Sequence, residues 1–285
     1  MHPLLEKVVV LISLRSNDLL PAPQSGAGSS SARLECLLWE QEVVSSNLAY
    51  PTKTDMYRAI FIDIDDTLLD YIPCCREAFD FALAQISNLQ SQITNEEELF
   101  ELFFAISGRL FSEAKHGLHT VAEVMELYPA EFCERAGYPP SAVDPFKHAF
   151  RAAWGKTHTL VPDAKQTLEA WRGKGYRLFA ASNSFGHLQR SRLQHAGLLH
   201  LFEDTYISMD LGYDKPDIRF YQEALRRCGL QPAEVLMIGD SMTTDIIGAR
   251  EAGLGVLYFN RRNEPLPAHS DIPSVSSLSQ ILEIV

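Results

Sequence analysis

The fold is decided by the stretch RAIFIDIDDTLLD, residues 58–70. Residues 59–62 form a short apolar run, which is typical of a strand buried on both faces of a parallel sheet. Three carboxylates follow within four residues, and crowding like charges away from water is costly unless a cation is present. Ligands of open α/β sheets bind at the carboxyl ends of the strands. The stretch therefore predicts a strand that delivers acidic side chains to a cation.

The spacing of Asp63 and Asp65 favours a catalytic pair. Residues i and i+2 of an extended segment share a face, so both carboxylates can point at one reacting atom. One can attack as the anion, while the other can carry a proton, because a neighbouring negative charge helps a carboxyl to keep one. Displacing an alcohol from phosphorus needs such a nucleophile and acid. The alternative is a polar loop in which Asp and Thr cap a helix.

The composition is that of an ordinary globular protein. The 285 residues are 46% hydrophobic and 22% charged, which suits one or two domains. The net charge of −12 argues against a nucleic-acid partner, because Lys and Arg hold phosphate backbones. A phosphorylated substrate would be repelled, so a divalent cation and a local Lys are then required.

The sequence also argues against a membrane protein and against a protein stabilised by disulfide bonds. No apolar run approaches the roughly 20 residues of a membrane helix, so we expect no membrane partner. The cysteines are odd in number, scattered and without a CxxC pair, which favours a reducing compartment and gives no zinc site. They are Cys36, Cys74, Cys75, Cys133 and Cys228. We therefore expect a cytoplasmic protein.

Residues 1–55 differ from the rest of the chain. An apolar run at residues 8–14 has no convincing signal-peptide cleavage site after it, and residues 24–32 are low-complexity linker. We expect the segment to be disordered or a non-native N-terminal extension, with Met56 as the biological start. A genuine flexible extension is the alternative, and mass spectrometry that found residues 1–55 intact in the native protein would favour it.

Helical periodicity begins after the acidic strand, in residues 71–158. Apolar residues recur at helical spacing on four faces. They are Phe79, Leu83 and Ile86, then Leu99, Phe103, Ile106 and Leu110, then Val121, Val124, Met125, Tyr128 and Phe132, then Phe146, Phe150 and Trp154. The aromatic stripes are typical of a bundle core. We predict an inserted helical bundle that covers the carboxyl end of the first strand, excludes water and selects the leaving group.

Strands and helices alternate in residues 159–285, as expected of a parallel sheet with crossover helices. Polar residues stand at the ends of two predicted strands and at one helix entry. Each alone could be a helix cap or a solvated lysine. Because a parallel sheet brings its strand ends to one edge, they predict one site together with Asp63 and Asp65. They are Ser182 and Asn183, Asp240, and Lys215.

These residues, in this order, resemble the haloacid dehalogenase (HAD) superfamily across residues 56–285. Its four motifs are DxDxT at residues 63–67, a Ser that closes a strand at Ser182, a Lys before a helix at Lys215, and GDxxxxD at residues 239–245. The insertion resembles the C1 cap class of that superfamily. At a finer level, the chain looks most similar to its noncanonical pyrimidine 5'-nucleotidase branch.

The resemblance implies an α/β fold with a Rossmann-like three-layer parallel sheet core and an inserted α-helical C1 cap. The core would comprise residues 56–70 and 159–285, and the cap residues 71–158. One departure is Asp163, which we expect to cap the next helix and which stands where relatives often have Gly. This position touches the hinge and not the chemistry.

The resemblance also implies a magnesium-dependent phosphomonoester hydrolase. Asp63 would attack phosphorus and form an aspartyl-phosphate, and Asp65 would protonate the leaving alkoxide. Mg²⁺ would be bound by the carboxylates of Asp63 and Asp240 and the backbone carbonyl of Asp65. The remaining expected roles are phosphate binding by Ser182, Asn183 and Lys215, and support by Thr67 and Asp245.

The expected partner is a small phosphorylated metabolite, and the resemblance favours a nucleoside monophosphate. A sugar-phosphate phosphatase or a phosphomutase of the same superfamily is the alternative. A haloacid dehalogenase is disfavoured, because a halide leaves without the proton that Asp65 supplies. A non-catalytic binding module on the same scaffold would show no activity on p-nitrophenyl phosphate. The sequence leaves the oligomeric state open.

Overall fold

The computed structural model describes residues 57–266 and 270–284. The predictions for residues 1–55, including a start at Met56, lie outside the described residues. Among the described helices, none is both long enough and apolar enough to cross a membrane.

A parallel sheet forms the centre of the part of the chain that the structure describes. Its described strands are β1 (Ala59–Ile62), β2 (Arg177–Ser182), β3 (Asp204–Ile207), β4 (Val235–Gly239), β5 (Gly255–Phe259) and β6 (Ser274–Val275). Within the described residues, the sheet has six strands in the order β3-β2-β1-β4-β5-β6. Ile62 pairs with Ala180 of β2 and Ile238 of β4, so the end of β1 lies between two neighbouring strand ends. The prediction of a parallel α/β sheet is confirmed.

The acidic stretch begins where β1 ends, and β1 itself is buried on both faces. All four of its residues are fully buried. Ile60 and Ile62 pack into the apolar cluster on one face of the sheet, while Ala59 and Phe61 pack into the cluster on the other. An unbroken apolar run is therefore required here, as the sequence predicted.

Four described helices that follow β1 form the cap. They are α1 (Tyr71–Gln85), α2 (Glu96–Lys115), α3 (Val121–Ala136) and α4 (Val143–Trp154). The start of α2 is set by Asn95, whose side chain accepts the Glu97 N–H. Thr120 and Glu123 form a capping box at the start of α3, and Gly137 ends that helix at φ 79°. Local capping residues thus determine these boundaries.

The aromatic stripes of the cap meet in one core, as predicted. Phe79, Phe103, Phe132 and Phe146 are at most 1% exposed. Their ring centroids lie 4.8–6.0 Å apart in tilted and edge-on arrangements. Such geometry suits the ring quadrupoles. These rings stabilise the cap and are not available to a ligand.

The helices of the core cover both faces of the sheet. They are α5 (Ala164–Gly173), α6 (Gly186–His195), α7 (Ser208–Leu211), α8 (Ile218–Cys228), α9 (Gly248–Glu251) and α10 (Leu278–Ile284), with a π-helix at Met242–Ile247 before α9. Trp171 of α5 and Ile281 of α10 pack on one face. Phe220 of α8 and Ala249 of α9 pack on the other. The result is the expected three-layer core.

Asp163 differs from the expectation. It occupies the predicted N-cap position of α5, but its side chain does not make the expected capping hydrogen bond. Its φ of 65° lies in the left-handed region, which costs most L-residues roughly 1–2 kcal/mol. Glycine adopts this conformation without that cost. This explains physically why a Gly would suit the position.

Two phenylalanines of α1 provide a matched test of the cap core. Phe79 is fully buried, whereas Phe81 is 51% exposed. We expect Phe79→Ala to lower the free energy of unfolding by about 3–5 kcal/mol, because it leaves a cavity among aromatic rings. Phe81→Ala should change it by less than about 0.5 kcal/mol. Urea unfolding measures both, and equal losses would contradict this description of the cap.

Candidate active site

Asp63 is the first side chain beyond β1. Its backbone N–H donates to the Ile238 carbonyl at 2.9 Å, which continues the pairing with β4 for one more residue. Its carboxylate is buried, and Oδ1 accepts a hydrogen bond from Lys215 Nζ at 2.7 Å. The register of the sheet thus holds the carboxylate at the predicted edge.

Lys215 lies in the loop between α7 and α8 and is only 3% exposed. An ammonium has three donors, and all three are used here. Nζ donates to Asp63 Oδ1 at 2.7 Å, to Asp245 Oδ1 at 2.6 Å and to the Ala181 carbonyl at 2.7 Å. Because Ala181 belongs to β2, this one side chain connects the ends of β1, β2 and the segment after β4.

The charge states follow from these contacts. Burial raises the pKa of Asp63 to about 7, although the Lys215 charge opposes the shift. Burial lowers the pKa of Lys215, but the Asp245 and Asp63 carboxylates outweigh it, and the pKa lies above its ordinary value. Lys215 is therefore a cation. A bound metal ion would further favour the ionised form of Asp63.

Three carboxylates form a cluster that suits a metal ion. One oxygen each of Asp63, Asp240 and Asp245 lies within 4.8 Å of the others. Both oxygens of Asp245 already accept hydrogen bonds, Oδ1 from Lys215 and Oδ2 from the Ser241 N–H at 3.0 Å. Carboxylate oxygens are the ligands that Mg²⁺ prefers. The donor set thus fits Mg²⁺, with Asp63 and Asp240 as the side chains that would hold it.

The GDxxxxD motif needs a glycine at its first position for a steric reason. A Cβ on Gly239 would lie 2.2 Å from Asp245 Oδ2, which is far inside contact distance. Gly239 therefore allows the Asp245 carboxylate to approach the strand end and reach Lys215. Asp245 is thus placed against Lys215, and its expected supporting role stays a prediction.

Asn183 bonds to the main chain of Lys215 in both directions. Its Oδ1 accepts the Lys215 N–H at 2.7 Å, and its Nδ2 donates to the Lys215 carbonyl at 2.8 Å. This pair attaches the Lys215 loop to the end of β2. Its expected contact with phosphate stays a prediction.

Thr67 and Asp66 complete the loop after β1. Thr67 is fully buried, and its hydroxyl lies 3.5 Å from Asp240 Oδ1, at the outer limit of a hydrogen bond. Asp66 has a left-handed φ of 58° and accepts the Tyr71 N–H at 3.2 Å. It also pairs with Arg262 at 2.5 Å. Asp66 thus shapes the turn into the cap, and the expected supporting role of Thr67 stays a prediction.

Asp65 and Ser182 are joined by residues that sequence reasoning missed. Gln189 Nε2 donates to Asp65 Oδ2 at 2.7 Å and to Ser182 Oγ at 2.9 Å. Arg192 Nη1 donates to Asp65 Oδ1 at 2.6 Å. Both Gln189 and Arg192 lie on α6 and are fully buried. A signal existed, since the two polar residues are three apart and share the helix face of buried Leu193.

The geometry brings the predicted residues to one edge of the sheet. Asp63, Asp240, Asp245 and Lys215 form one cluster. Asp65 and Ser182 form a second group, held together by Gln189. A buried ammonium beside carboxylates that suit a cation can bind an anionic group and stabilise charge that develops on it.

Comparisons with known proteins found a matching family and similar enzymes. A family model described as haloacid dehalogenase-like hydrolase matches residues 57–253. The chain is 28% identical over 236 residues to glyceraldehyde 3-phosphate phosphatase of Methanothermobacter thermautotrophicus, which covers 81% of this chain and 100% of that protein. It is 28% identical over 229 residues to pyrimidine 5'-nucleotidase YjjG of Escherichia coli, covering 79% of this chain and 96% of that protein.

A solved structure is similar over the same region. The HAD-hydrolase YfnB of Bacillus subtilis, whose crystal structure contains magnesium and reveals interdomain movement, superimposes with a TM-score of 0.72. The two proteins are 25% identical, and the match covers 80% of this chain and 98% of that one.

The carboxylate cluster predicts a magnesium site that can be measured without any assay of activity. Mg²⁺ should raise the melting temperature of the protein, because a ligand that binds only the folded state stabilises it. Asp240→Asn should weaken the apparent affinity on the order of 100-fold. Asp271→Asn is the matched control, since Asp271 is an exposed carboxylate paired with Arg250. Equal Mg²⁺ shifts in the two variants would reject the site.

Proposed function

The chain belongs to the haloacid dehalogenase-like hydrolase family, and we propose that it is a Mg²⁺-dependent phosphomonoesterase that works through an aspartyl-phosphate on Asp63. One observation carries the proposal. Lys215 is buried between Asp63 and Asp245, and Asp63 and Asp240 present oxygen ligands beside it. An anionic phosphoryl group needs a local ammonium and a bound cation in a protein with a net charge of −12.

The first half-reaction transfers the phosphoryl group to the protein. Lys215 is bonded to Oδ1 of Asp63, so the attack falls to Oδ2. Oδ2 forms a bond to phosphorus while the ester P–O bond breaks. The leaving alkoxide takes the proton of the Asp65 carboxyl and departs as an alcohol.

The second half-reaction regenerates the protein. Asp65, now a carboxylate, removes a proton from water while the water oxygen bonds to phosphorus. The bond between phosphorus and Asp63 Oδ2 breaks, and inorganic phosphate is released. Both carboxyl groups return to their starting states, so Asp65 acts first as an acid and then as a base.

The remaining residues bind and orient the phosphoryl group. Lys215 exchanges one of its three present hydrogen bonds for a phosphoryl oxygen, and Ser182 holds another oxygen while charge moves from the ester to Asp63. When bound by the Asp63 and Asp240 carboxylates and the Asp65 carbonyl, Mg²⁺ supplies positive charge that neutralises the phosphoryl oxygens. Asn183 adds a contact to phosphate or substrate, and Thr67 and Asp245 keep Asp240 and Lys215 in place.

Other reactions of the same scaffold are distinguishable. A halide leaves without a proton, so a dehalogenase has no use for Asp65. A phosphomutase needs both carboxyl groups, and transfer of the phosphoryl group to a sugar hydroxyl instead of water would identify it. A silent binding module would leave p-nitrophenyl phosphate intact.

The favoured substrate is a nucleoside monophosphate. The aromatic ring of Tyr71, in the first cap helix, is close enough to feel the Asp65 charge, and it suits a planar base. The Tyr71 ring is 5.5 Å from that of Trp154 and 6.1 Å from that of Phe104. Burial raises the pKa of Tyr71, and the nearby Asp65 charge adds to the shift. A relative that is 28% identical is a pyrimidine 5'-nucleotidase.

A sugar phosphate is the second candidate. The observation that favours it is the equal, 28% identity to a glyceraldehyde 3-phosphate phosphatase. Both substrates are small phosphorylated metabolites whose alkoxide leaving groups need the proton of Asp65.

We further place the protein in the cytoplasm. Cys74, Cys75, Cys133 and Cys228 are buried free thiols, which suit a reducing compartment.

Replacing the nucleophile tests the reaction class. Asp63→Asn should lower turnover of p-nitrophenyl phosphate at least about 1000-fold, because the amide cannot form the aspartyl-phosphate. EDTA should remove the activity of the unchanged protein, and Mg²⁺ should restore it. Asp271→Asn serves again as the control, and circular dichroism checks the fold. If Asp63→Asn keeps more than about a tenth of the activity, the assignment fails.

Replacing Tyr71 tests the substrate class. With a panel of phosphorylated metabolites, Tyr71→Leu should raise KM for nucleoside monophosphates roughly tenfold, because stacking on a base is worth about 1–3 kcal/mol. KM for glyceraldehyde 3-phosphate should stay within about twofold, since it has no ring to stack. Phe81→Leu, on the exposed side of the same helix, should change neither. Preference for sugar phosphates with equal effects on both classes would favour the second candidate.

A further inference from the structure

Arg192 is a charged side chain without solvent contact. It lies on α6 and is 0% exposed, as is Gln189 one turn earlier. Burying a guanidinium is costly unless it is paired and hydrogen-bonded. Apolar packing on the sheet would be satisfied by a leucine here, so the charge needs another reason.

The guanidinium bonds to Asp65 and to the end of the cap. Nη1 donates to Asp65 Oδ1 at 2.6 Å and to Gln189 Oε1 at 2.9 Å. Nε donates to Thr157 Oγ1 at 3.2 Å, in the segment that returns the chain from the cap to the core. Arg192 is also 3.9 Å from the centre of a Trp154 ring, within cation–π range. Trp154 is the last residue of the cap helix α4.

Asp65 is thus held by two donors from one helix. Arg192 bonds to Oδ1, and Gln189 bonds to Oδ2. One hydrogen bond to each oxygen determines the plane of a carboxylate as well as its position. The planar guanidinium is rigid and suits this purpose better than a flexible ammonium.

We propose that Arg192 is a positioning residue for proton transfer by Asp65, and that its stacking on Trp154 links this carboxyl to the last helix of the cap. The inference rests on the proposed phosphomonoesterase function, because it concerns the acid of that reaction. Arg192 bonds to the Asp65 carboxylate and acts through it.

Positioning of Asp65 by Arg192 predicts a kinetic difference between two substrates that a purely structural role of Arg192 would not produce. An alkoxide leaves only if it gains a proton, whereas p-nitrophenolate is stable enough to leave without one. The value of kcat/KM reports the steps through cleavage of the ester bond. Loss of Asp65 positioning should therefore lower kcat/KM for an alkyl monophosphate and spare p-nitrophenyl phosphate. Simple loss of folded protein would lower both equally.

The experiment compares the two esters with the full chain in Mg²⁺. Arg192→Met should lower kcat/KM for an alkyl monophosphate on the order of 100-fold, the usual worth of a positioned acid. For p-nitrophenyl phosphate it should stay within about threefold. Arg190→Met is the matched control, because Arg190 lies on the same helix but is only half-buried and pairs with Asp210 at 2.6 Å. It should change neither value.

A second variant keeps the proposal testable if Arg192→Met does not fold. Arg192→Lys retains the buried charge opposite Asp65 but lacks the planar fork, and it should show the same ester selectivity with a loss of roughly tenfold. Equal losses on both esters, or no loss on either, would overturn the role of Arg192. An unchanged protein that is inactive on both esters would instead overturn the proposed function, and this inference with it.

Discussion

The site depends on the hydrogen bonds and ion pairs of the buried Lys215 ammonium. It is bonded to two carboxylates and a carbonyl that belong to different parts of the chain. Breaking a buried charge pair by removing one partner typically costs about 3–5 kcal/mol, so the three strand ends must stay aligned for the lysine to stay buried. The sheet register provides that alignment, and Asn183 fastens the lysine loop to β2.

A second buried cation gives the site its connection to the cap. Lys215 pairs with Asp63, and Arg192 pairs with Asp65. Each cation reaches its carboxylate from a different element, so the two carboxylates, two residues apart, have distinct surroundings. Such different surroundings suit the nucleophile and the acid of the proposed reaction. Trp154, which stacks on Arg192, belongs to the helix that closes the cap.

Much of the fold and of the site could be predicted from local patterns in the sequence. The apolar run before Asp63, the helical spacing of the cap aromatics and the order of the four motifs predicted the sheet, the bundle and the shared edge. These signals are strong because burial imposes a period on the sequence.

Gln189 and Arg192 were missed because a polar residue on a buried face is explained only by its partner, and Asp65 is 127 positions away from Arg192. The left-handed backbone conformation of Asp163 could not be predicted from the sequence either, since Asp is also a common helix cap.

The sequence by itself determined which residue types were available and which faces were buried, because hydrophobic period and capping residues act over a few positions. It also placed the acids and the lysine at strand ends and a helix entry. The tertiary structure decided the pairings: that Lys215 bonds to both Asp63 and Asp245, that Asn183 bonds to the main chain of Lys215, and that Arg192 holds Asp65. Hydrogen bonds between distant residues depend on distances of a few tenths of an ångström, and only the packed sheet and cap set those.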